Sequence, residues 1–142
     1  MVTVGQLLDN KGHDLYCVAP EESVLRAMEI MATREVGALL VMDSGEMVGV
    51  ISERDYARKV ILMNRSSRDT PVRDIMSSPV LSVAPEDTIH HCMEIMTSKR
   101  VRHLPVLKGG KVQGVLSIGD LVKALLQEQS EQIQQLQRYI AG

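Results

Sequence analysis

Apolar and polar positions in the first half of the chain predict alternating helices and strands. Residues 2–9 have the spacing of a short lead-in helix, and residues 15–18 form an apolar run that predicts a strand. Residues 24–34 place apolar side chains on one helical face, and Ser23 stands where an N-cap is expected. The apolar positions of this helix are Val24, Ala27, Met28 and Met31, and both methionines are predicted to fill the core.

Two further apolar runs, 38–42 and 47–51, flank a polar turn and predict a β-hairpin. After the hairpin the apolar pattern changes to a helical period at Ser52, where another helix is predicted to begin. The first half of the chain is therefore predicted to be a β-α-β-β-α unit preceded by its lead-in helix.

The same order recurs 65 positions later in the chain. Residues 16–60 and 81–125 align without a gap, and 16 of the 45 paired positions are identical. Amphipathic patterning alone does not produce so many identities, so the chain is a tandem repeat. The elements predicted for the second copy are a lead-in segment at 72–76, strands at 80–83, 103–107 and 112–116, and a helix at 88–99.

A lone repeat of this size would leave an apolar sheet face uncovered. We therefore expect the two repeats to pack through their sheets with pseudo-twofold symmetry, in an α/β fold of the α+β type. The expected repeats are 1–66 and 67–126, followed by an extended helical tail over 127–142. Apolar residues at Leu126, Ile133, Leu136 and Ile140 fit a heptad stripe, which favours a homodimer.

Composition and charge restrict the class of protein. The chain has 142 residues and a net charge of −2, so no global field attracts it to nucleic acid or to an anionic membrane. There is no apolar run of transmembrane length and no leader pattern, so a soluble, cytoplasmic protein is expected. Cys17 and Cys92 fall at unmatched positions of the repeat and are expected to be buried free thiols.

The sequence does not favour catalysis or metal binding. His90, His91 and Cys92 are adjacent on a helix, so their side chains point about 100° apart and do not converge on one ion. Neither cysteine has a plausible base beside it, and no carboxylate dyad stands out. We therefore expect a protein without enzymatic activity, without a metal and without a catalytic cofactor.

The motif Ser-x-x-Asp closes each repeat, as Ser52 to Asp55 and as Ser117 to Asp120. One interpretation is structural, since this motif forms a capping box that stabilises a helix by about 1 kcal/mol. The other is functional, because a carboxylate beside the partial positive charge of a helix start can accept two hydrogen bonds from a ribose diol. The two interpretations are compatible, and both remain open at this point.

The doubled pattern resembles tandem CBS-domain (cystathionine-β-synthase-type) proteins, the Bateman module, and more narrowly the small stand-alone bacterial members. The resemblance is carried by Val-Ala-Pro-Glu before the helix at 88–99, by Arg-His-Leu-Pro-Val at 102–106, and by Gly-Val-Leu-Ser-x-x-Asp at 114–120. It covers residues 4–126. It implies a regulatory, energy-sensing protein that binds AMP, ADP, ATP, NAD(H) or S-adenosylmethionine in clefts between the repeats.

The resemblance also implies roles for individual residues. Asp55 and Asp120 would accept the ribose hydroxyls, with Ser52 and Ser117 as their partners at the helix starts. Arg102, with His103 beside it, would meet phosphate in the second repeat, and Arg54 and Arg58 would compensate in the first. The other binding residues that the resemblance implies are Tyr16, Val18, Gly37, Ala38, Ser77, Val80 and Leu104.

A different class of function is also consistent with the sequence. The same fold could serve as a structural dimerisation or docking module whose clefts are filled by its own side chains. In either case the sequence does not identify the protein partner that such a module would regulate or hold.

Overall fold

The computed structural model describes residues 2–78 and 80–141. It divides the chain into two compact units that interleave along the sequence. The central unit is Leu15–Val80, and the terminal unit joins the chain up to Asp14 to the chain from Leu81 onward. Packing therefore groups the lead-in segment of each repeat with the body of the other repeat. The division of the sequence at residues 66 and 126 stays a prediction about the repeats.

The mixed α/β class is confirmed, with two small sheets and a long C-terminal helix. The order of helices and strands repeats with small differences between the two halves. In chain order the elements are α1 (Val4–Lys11), β1 (Cys17–Val18), α2 (Val24–Arg34), β2 (Ala38–Asp43), β3 (Glu46–Ser52), α3 (Glu53–Tyr56), a π-helix (Ala57–Ile61), a 3₁₀-helix (Val72–Asp74), α4 (Ile89–Lys99), β4 (His103–Lys108), β5 (Lys111–Ser117) and α5 (Ile118–Ala141).

The sheets form as the hairpin signals predict. In the central unit β2 pairs antiparallel with β3 and parallel with β1, and in the terminal unit β4 pairs antiparallel with β5. The register places Ala38 opposite Ser52 and His103 opposite Ser117. Each hairpin therefore brings the start of its first strand beside the start of the following helix.

The strand predicted at 80–83 does not form, and only an isolated parallel bridge to Val106 remains. In the central unit the Leu40 amide donates to the Tyr16 carbonyl at 3.0 Å, which extends the pairing of β1 with β2. The position equivalent to Leu40 is Pro105, which has no amide hydrogen to donate. The corresponding hydrogen bond is lost, and the strand shrinks to one bridge.

The two lead-in segments also differ. Thr3 caps α1 with a capping box in which its hydroxyl accepts from the Gln6 amide at 3.3 Å. Pro71 occupies the cap position of the second lead-in and makes no side-chain hydrogen bond there, and only the short 3₁₀-helix follows. The match between the two segments predicted two similar helices, and the difference in capping accounts for the shorter one.

The helix after Ser52 is another departure from the repeat. It is α-helical only over Glu53–Tyr56 and continues as a π-helix over Ala57–Ile61, whereas α5 is α-helical for 24 residues. The greater length of α5 agrees with the predicted helical tail, whereas the gapless alignment of the two halves gives no signal for the change to a π-helix. Such π segments often lie at functional sites.

Each unit has its own aliphatic core. In the terminal unit, Leu7 and Leu8 of α1 join the core residues of α4, β4, β5 and α5. In the central unit, Val72 and Ile75 join the core of α2 and β1–β3. Met31 is 2% exposed and Met28 is partly buried against the same core, which agrees with the prediction that these two methionines fill it.

Two glycines allow the lead-in segments to approach the sheets. A Cβ built on Gly114 of β5 would lie 2.8 Å from Leu8 Cδ2, and one on the equivalent Gly49 of β3 would lie 2.6 Å from Met76 Sδ. The Gly49 Cβ would also lie 3.1 Å from the Ser77 carbonyl oxygen. Each of these strand positions therefore accepts only glycine without a shift of the lead-in segment.

The two cysteines differ in environment. Cys92 is buried in α4, and burial raises the pKa of its thiol to about 11. Cys17 is exposed, so the prediction of two buried thiols is wrong for this residue. In the two-residue strand β1, alternation sends Val18 into the core and Cys17 to the surface.

We expect Gly49→Ala to lower the free energy of unfolding by about 1–3 kcal/mol, the range for overpacking a filled site. Urea denaturation monitored by circular dichroism measures this change. Gly119→Ala is the matched control, because its nearest atom beyond its own helix and chain neighbours is Ser117 Oγ at 3.6 Å and alanine favours a helix. Equal effects of the two substitutions would contradict the packing described for Gly49.

Candidate functional site

Both Ser-x-x-Asp motifs form capping boxes. The Ser52 amide donates to Asp55 Oδ2 at 2.9 Å, and the Asp55 amide donates to Ser52 Oγ at 3.3 Å. In the terminal unit the Ser117 amide donates to Asp120 Oδ2 at 2.8 Å, and the Asp120 amide donates to Ser117 Oγ at 3.1 Å. The structural interpretation of the motif therefore holds at both helix starts.

The cap uses only one oxygen of each carboxylate. The Ser52 hydroxyl also donates to Asp55 Oδ2, at 3.0 Å. Asp55 Oδ2 therefore accepts both hydrogen bonds that the Asp55 carboxylate receives from Ser52. At Asp120 the hydrogen bonds likewise end on Oδ2, which leaves Oδ1 without a hydrogen bond from the described residues. A carboxylate in a cap can therefore still accept a hydrogen bond from a ligand.

The first backbone amide of each of these helices donates a hydrogen bond to a backbone carbonyl. The Glu53 amide donates to the Gly37 carbonyl at 3.1 Å, and the Ile118 amide donates to the Arg102 carbonyl at 2.9 Å. The repeat thus places Gly37 and Arg102, both predicted site residues, directly beside the two helix starts. Because this amide and the capped one are already used, an anion bound there would depend largely on side chains.

Each carboxylate has a lysine partner, and the two lysines come from different places in the repeat. In the central unit Lys59 Nζ lies 3.5 Å from Asp55 Oδ1 and donates to the Ile75 carbonyl at 3.0 Å. In the terminal unit Lys11 Nζ lies 2.7 Å from Asp120 Oδ2 and also donates to the Val115 carbonyl. Neither lysine was among the residues predicted for the site.

The two lysines differ in whether their pairing with the aspartate could be predicted from the sequence. Lys59 stands four residues after Asp55 on the same helix, a spacing that brings side chains together. Lys11 reaches Asp120 from the lead-in helix, 109 positions earlier in the chain. Only the grouping of the first lead-in helix with the second repeat brings this pair together, so no local pattern could have indicated it.

Burial and hydrogen bonding act in opposite directions on Asp120. Burial raises the pKa of its carboxyl, but the hydrogen bonds from Lys11 and from the Ser117 amide lower the pKa by more. The net result is a pKa below the usual value. The charged form is thus stabilised in the folded protein. This contribution to stability is present above the pKa of an unfolded aspartate and is lost as the pH falls through the lowered value.

The central unit brings several predicted residues to its helix start. Ser77 pairs with Val50 of β3, with hydrogen bonds of 2.9 and 3.2 Å, so the segment after the second lead-in lies along β3. Tyr16 immediately precedes β1, and Arg34 stacks over its ring at 5.4 Å from the centroid. This site thus takes segments from both repeats.

Some predicted residues have side chains that face the core. Val18 is 5% exposed, and Leu104 is fully buried. A ligand could contact them only through their backbone unless the core opened. Val80 is partly buried, and no specific contact places it at the site.

The predicted cations lie outside the cores. Arg58 and Arg102 are exposed, and Arg54 is partly buried. His103 is partly buried and pairs with Ser117 across the hairpin. These side chains are positioned near the helix starts by their elements, and which of them meets a ligand stays a prediction.

A cavity of about 770 Å³ lies beside Asp120 within the terminal unit. It lies between α1 and α5 and combines apolar with polar and charged side chains. Its lining comprises Val2, Gln6, Leu7, Asn10, Lys11, Asp120, Lys123, Ala124, Gln127 and Glu131. Among the described residues predicted for the site, Asp120 is the one that lines it.

The histidines predicted not to bind a metal have other contacts. His90 Nε2 lies 3.2 Å from Glu128 Oε1, which joins α4 to α5. Within residues 2–78 and 80–141, no three His, Cys, Asp or Glu side chains lie close enough to hold a metal ion. No described helix is both long and apolar enough to cross a membrane.

Comparison with known proteins finds the same doubled pattern elsewhere. The family model described as the CBS domain matches residues 4–62 and 72–127. The mitochondrial CBS domain-containing protein CBSX3 of Arabidopsis thaliana is 39% identical over 150 residues, which cover 99% of this chain and 72% of that protein.

Solved structures match as well. A protein with CBS domains from Burkholderia ambifaria MC40-6 is 46% identical with a TM-score of 0.86, covering 90% of this chain and 96% of that one. The CBS domain pair of protein MJ0100, solved with 5′-methylthioadenosine and S-adenosylmethionine, has a TM-score of 0.80 at 19% identity, covering 90% of this chain and 98% of that one. At that identity the second likeness concerns the fold alone.

We expect Asp120→Asn to lower the free energy of unfolding by about 1 kcal/mol at pH 7, because the charge that Lys11 neutralises is removed. The difference from the unaltered protein should shrink as the pH falls through the lowered pKa of the native carboxyl, because the native side chain then loses its charge as well. Urea unfolding over a series of pH values measures it. Asp43→Asn, at the exposed end of β2, is the control and should cost little at any pH of the series. A difference that is constant with pH would contradict the electrostatic account.

Proposed function

The chain belongs to the CBS-domain family, as its doubled pattern indicates, and we propose on this premise that it is a non-enzymatic regulatory module that binds an adenosine nucleotide. The ligand class is AMP, ADP, ATP or NAD(H), and the proposed sites are the Asp55 site of the central unit and the Asp120 site of the terminal unit.

The observation that carries the proposal is the state of the two carboxylates. Each is fixed by its cap through Oδ2 at the start of a helix, and each keeps Oδ1 outside the cap. Such a carboxylate is oriented in advance, so a ribose diol would bind without further ordering of the side chain. At Asp120, the adjoining cavity falls within the range of about 300–1,000 Å³ that is typical of small-molecule sites.

The fold of a protein solved with adenosine compounds supports the same ligand class. Protein MJ0100 shares the fold and was solved with 5′-methylthioadenosine and S-adenosylmethionine, both of which contain adenosine. The residues that this chain places at its helix starts are the types that could hold the sugar and the phosphate: carboxylates, lysines and arginines.

Regulation would follow from a difference in affinity between two arrangements of the protein. A ligand shifts such an equilibrium only by as much as it prefers one arrangement. A tenfold preference corresponds to about 1.4 kcal/mol. The regulated protein partner stays unidentified, and a cytoplasmic location stays a prediction.

The capping boxes favour one alternative. A docking module without a ligand would need Asp55 and Asp120 only as caps, and both residues do act as caps. This alternative predicts that replacing either aspartate affects stability alone, which separates it from the proposal.

We also propose that the protein is a homodimer held partly by its tail. Leu126, Ile133, Leu136 and Ile140 are between 55% and 82% exposed and lie along one side of α5. Their spacing fits the a and d positions of a heptad repeat, with Gln129 in the intervening d position. A second copy of the same stripe would cover these side chains.

For the nucleotide sites, we expect titration calorimetry with AMP, ADP, ATP, NAD and NADH to show binding of at least one with a micromolar-order dissociation constant. Asp55→Ala and Asp120→Ala should each weaken binding at their own site by about 10- to 100-fold, since a hydrogen bond to a charged group is lost. Asp43→Ala, at the exposed end of β2, is the control. Absence of heat and of any thermal shift with all five ligands, on folded protein, would reject the proposal. A separate incubation with ATP or NADH, followed by product analysis, tests whether the protein is an enzyme.

For the dimer, we expect Ile133→Glu with Leu136→Glu to shift the protein toward the monomer in multi-angle light scattering, because two charges would be buried at the interface. Gln134→Glu with Gln135→Glu adds the same charge to the opposite side of the helix and should leave the dimer intact. Removal of residues 128–142 tests the whole tail, and a dimer unchanged by this truncation would rule the tail out.

A further inference from the structure

We propose that Lys11 and Lys123 select a phosphorylated ligand at the Asp120 site, favouring AMP over uncharged adenosine and over cationic S-adenosylmethionine. This inference rests on the proposed function, because it assigns the phosphate-binding residues of that site. The prediction from the sequence gave this role to Arg102, which does not line the cavity beside Asp120.

Lys11 is fixed at the carboxylate by two contacts. Its ammonium bonds to Asp120 Oδ2 at 2.7 Å and to the Val115 carbonyl. In the second repeat the lead-in residue Met76 lies against Gly49 as Leu8 lies against Gly114, so Met76 corresponds to Leu8 and not to Lys11. Leu7 and Leu8 pack α1 into the core whereas Lys11 is exposed, so the packing of α1 does not require the charge of Lys11.

The ion pair between Lys11 and Asp120 contributes little to the stability of the fold. The side chains of Lys11 and Asp120 are 37% and 23% exposed, and pairs with such exposure contribute at most about 1 kcal/mol. In the central unit Asp55 acquires its ammonium from Lys59, which lies on its own helix. The two repeats therefore reach the same arrangement, an ammonium beside the ribose acceptor, by different routes.

Lys123 adds a second positive charge to the same cavity. It lies three residues after Asp120 on α5, and no ion pair is found for it among residues 2–78 and 80–141. The equivalent residue of the first repeat is Arg58, so each repeat has a cation one turn after its aspartate. A phosphate bound in the cavity would thus lie within reach of two lysine ammonium groups.

The charges predict which ligands are accepted. Lys11 neutralises Asp120, so the carboxylate can accept a diol through Oδ1 but no longer attracts a cation strongly. Glu131, the other acid of the lining, lies eleven residues after Asp120 on α5, about 16 Å along the helix, so it does not balance Lys123 next to Asp120. The region next to Asp120 is therefore positive, which favours the phosphate of AMP and disfavours the sulfonium of S-adenosylmethionine.

The test compares AMP, adenosine and S-adenosylmethionine by titration calorimetry on the full chain carrying Asp55→Ala, so that only the Asp120 site is measured. Asp55→Asn replaces that background if the alanine variant does not fold. We expect AMP to bind at least about tenfold more tightly than adenosine, equivalent to about 1.4 kcal/mol. Lys11→Met and Lys123→Gln should each reduce AMP affinity about tenfold and change adenosine affinity by less than about threefold.

Lys108→Gln and Lys111→Gln remove exposed charges from the β4–β5 turn and serve as controls, with no effect on any ligand expected. Lys11→Met should also narrow the preference for AMP over S-adenosylmethionine. If AMP and adenosine weaken together, or if neither changes, the phosphate role is overturned while nucleotide binding stands. If Arg102→Gln removes the preference for AMP and the lysine variants do not, the phosphate role belongs to Arg102. If no adenosine compound binds the unaltered chain, the proposed function fails and this inference fails with it.

Discussion

The lead-in segment of each repeat packs on a glycine in the last strand of the other repeat, and this contact organises both units. Leu8 lies against Gly114, and Met76 lies against Gly49. The contact supplies apolar residues to each core, and it also brings Lys11 to Asp120. The candidate sites are therefore products of the exchange between repeats, and a single repeat would lack part of its site.

The aspartate at each helix start has a structural role as a cap, and the proposed function gives it a second role as a ribose acceptor. As a cap it satisfies backbone amides that the helix leaves unpaired, and this requirement fixes the orientation of the carboxylate. The fixed orientation is also what a ribose acceptor needs, so the cap and the proposed ligand contact do not compete for the same oxygen. The lysine beside each carboxylate would then set the charge of the proposed site, and with it the class of ligand.

Much of the fold follows from local sequence. Helix α2 has the bounds that periodicity and the Ser23 cap predict, and both hairpins form at their turn residues. The predicted strand and lead-in helix that did not form as expected have local causes, which an element-by-element comparison of the two repeats would find. Pro105 removes the amide that would extend a strand, and Pro71 replaces a capping threonine.

Less of the candidate site than of the fold could be predicted from local sequence. The Ser-x-x-Asp motifs locate the carboxylates, because capping is a matter of three-residue spacing. Lys59 could have been found by its spacing from Asp55, but Lys11 is linked to Asp120 only through the packing of a distant helix. The π-helix after Tyr56 has no counterpart in the other repeat and no evident signal in the sequence.

The uninterrupted α5 gives the Asp120 site a mechanical property that the Asp55 site lacks. A helix of 24 residues is about 36 Å long, and its first turn carries the carboxylate and its second turn carries Lys123. If an event at that turn tilted the helix by about 5°, the far end would travel about 3 Å, because displacement grows with distance from the pivot. The Asp55 helix changes to a π-helix after one turn and would not carry motion over such a span. The terminal unit thus contains a lever, with its short arm at the cavity and its long arm at the chain's end.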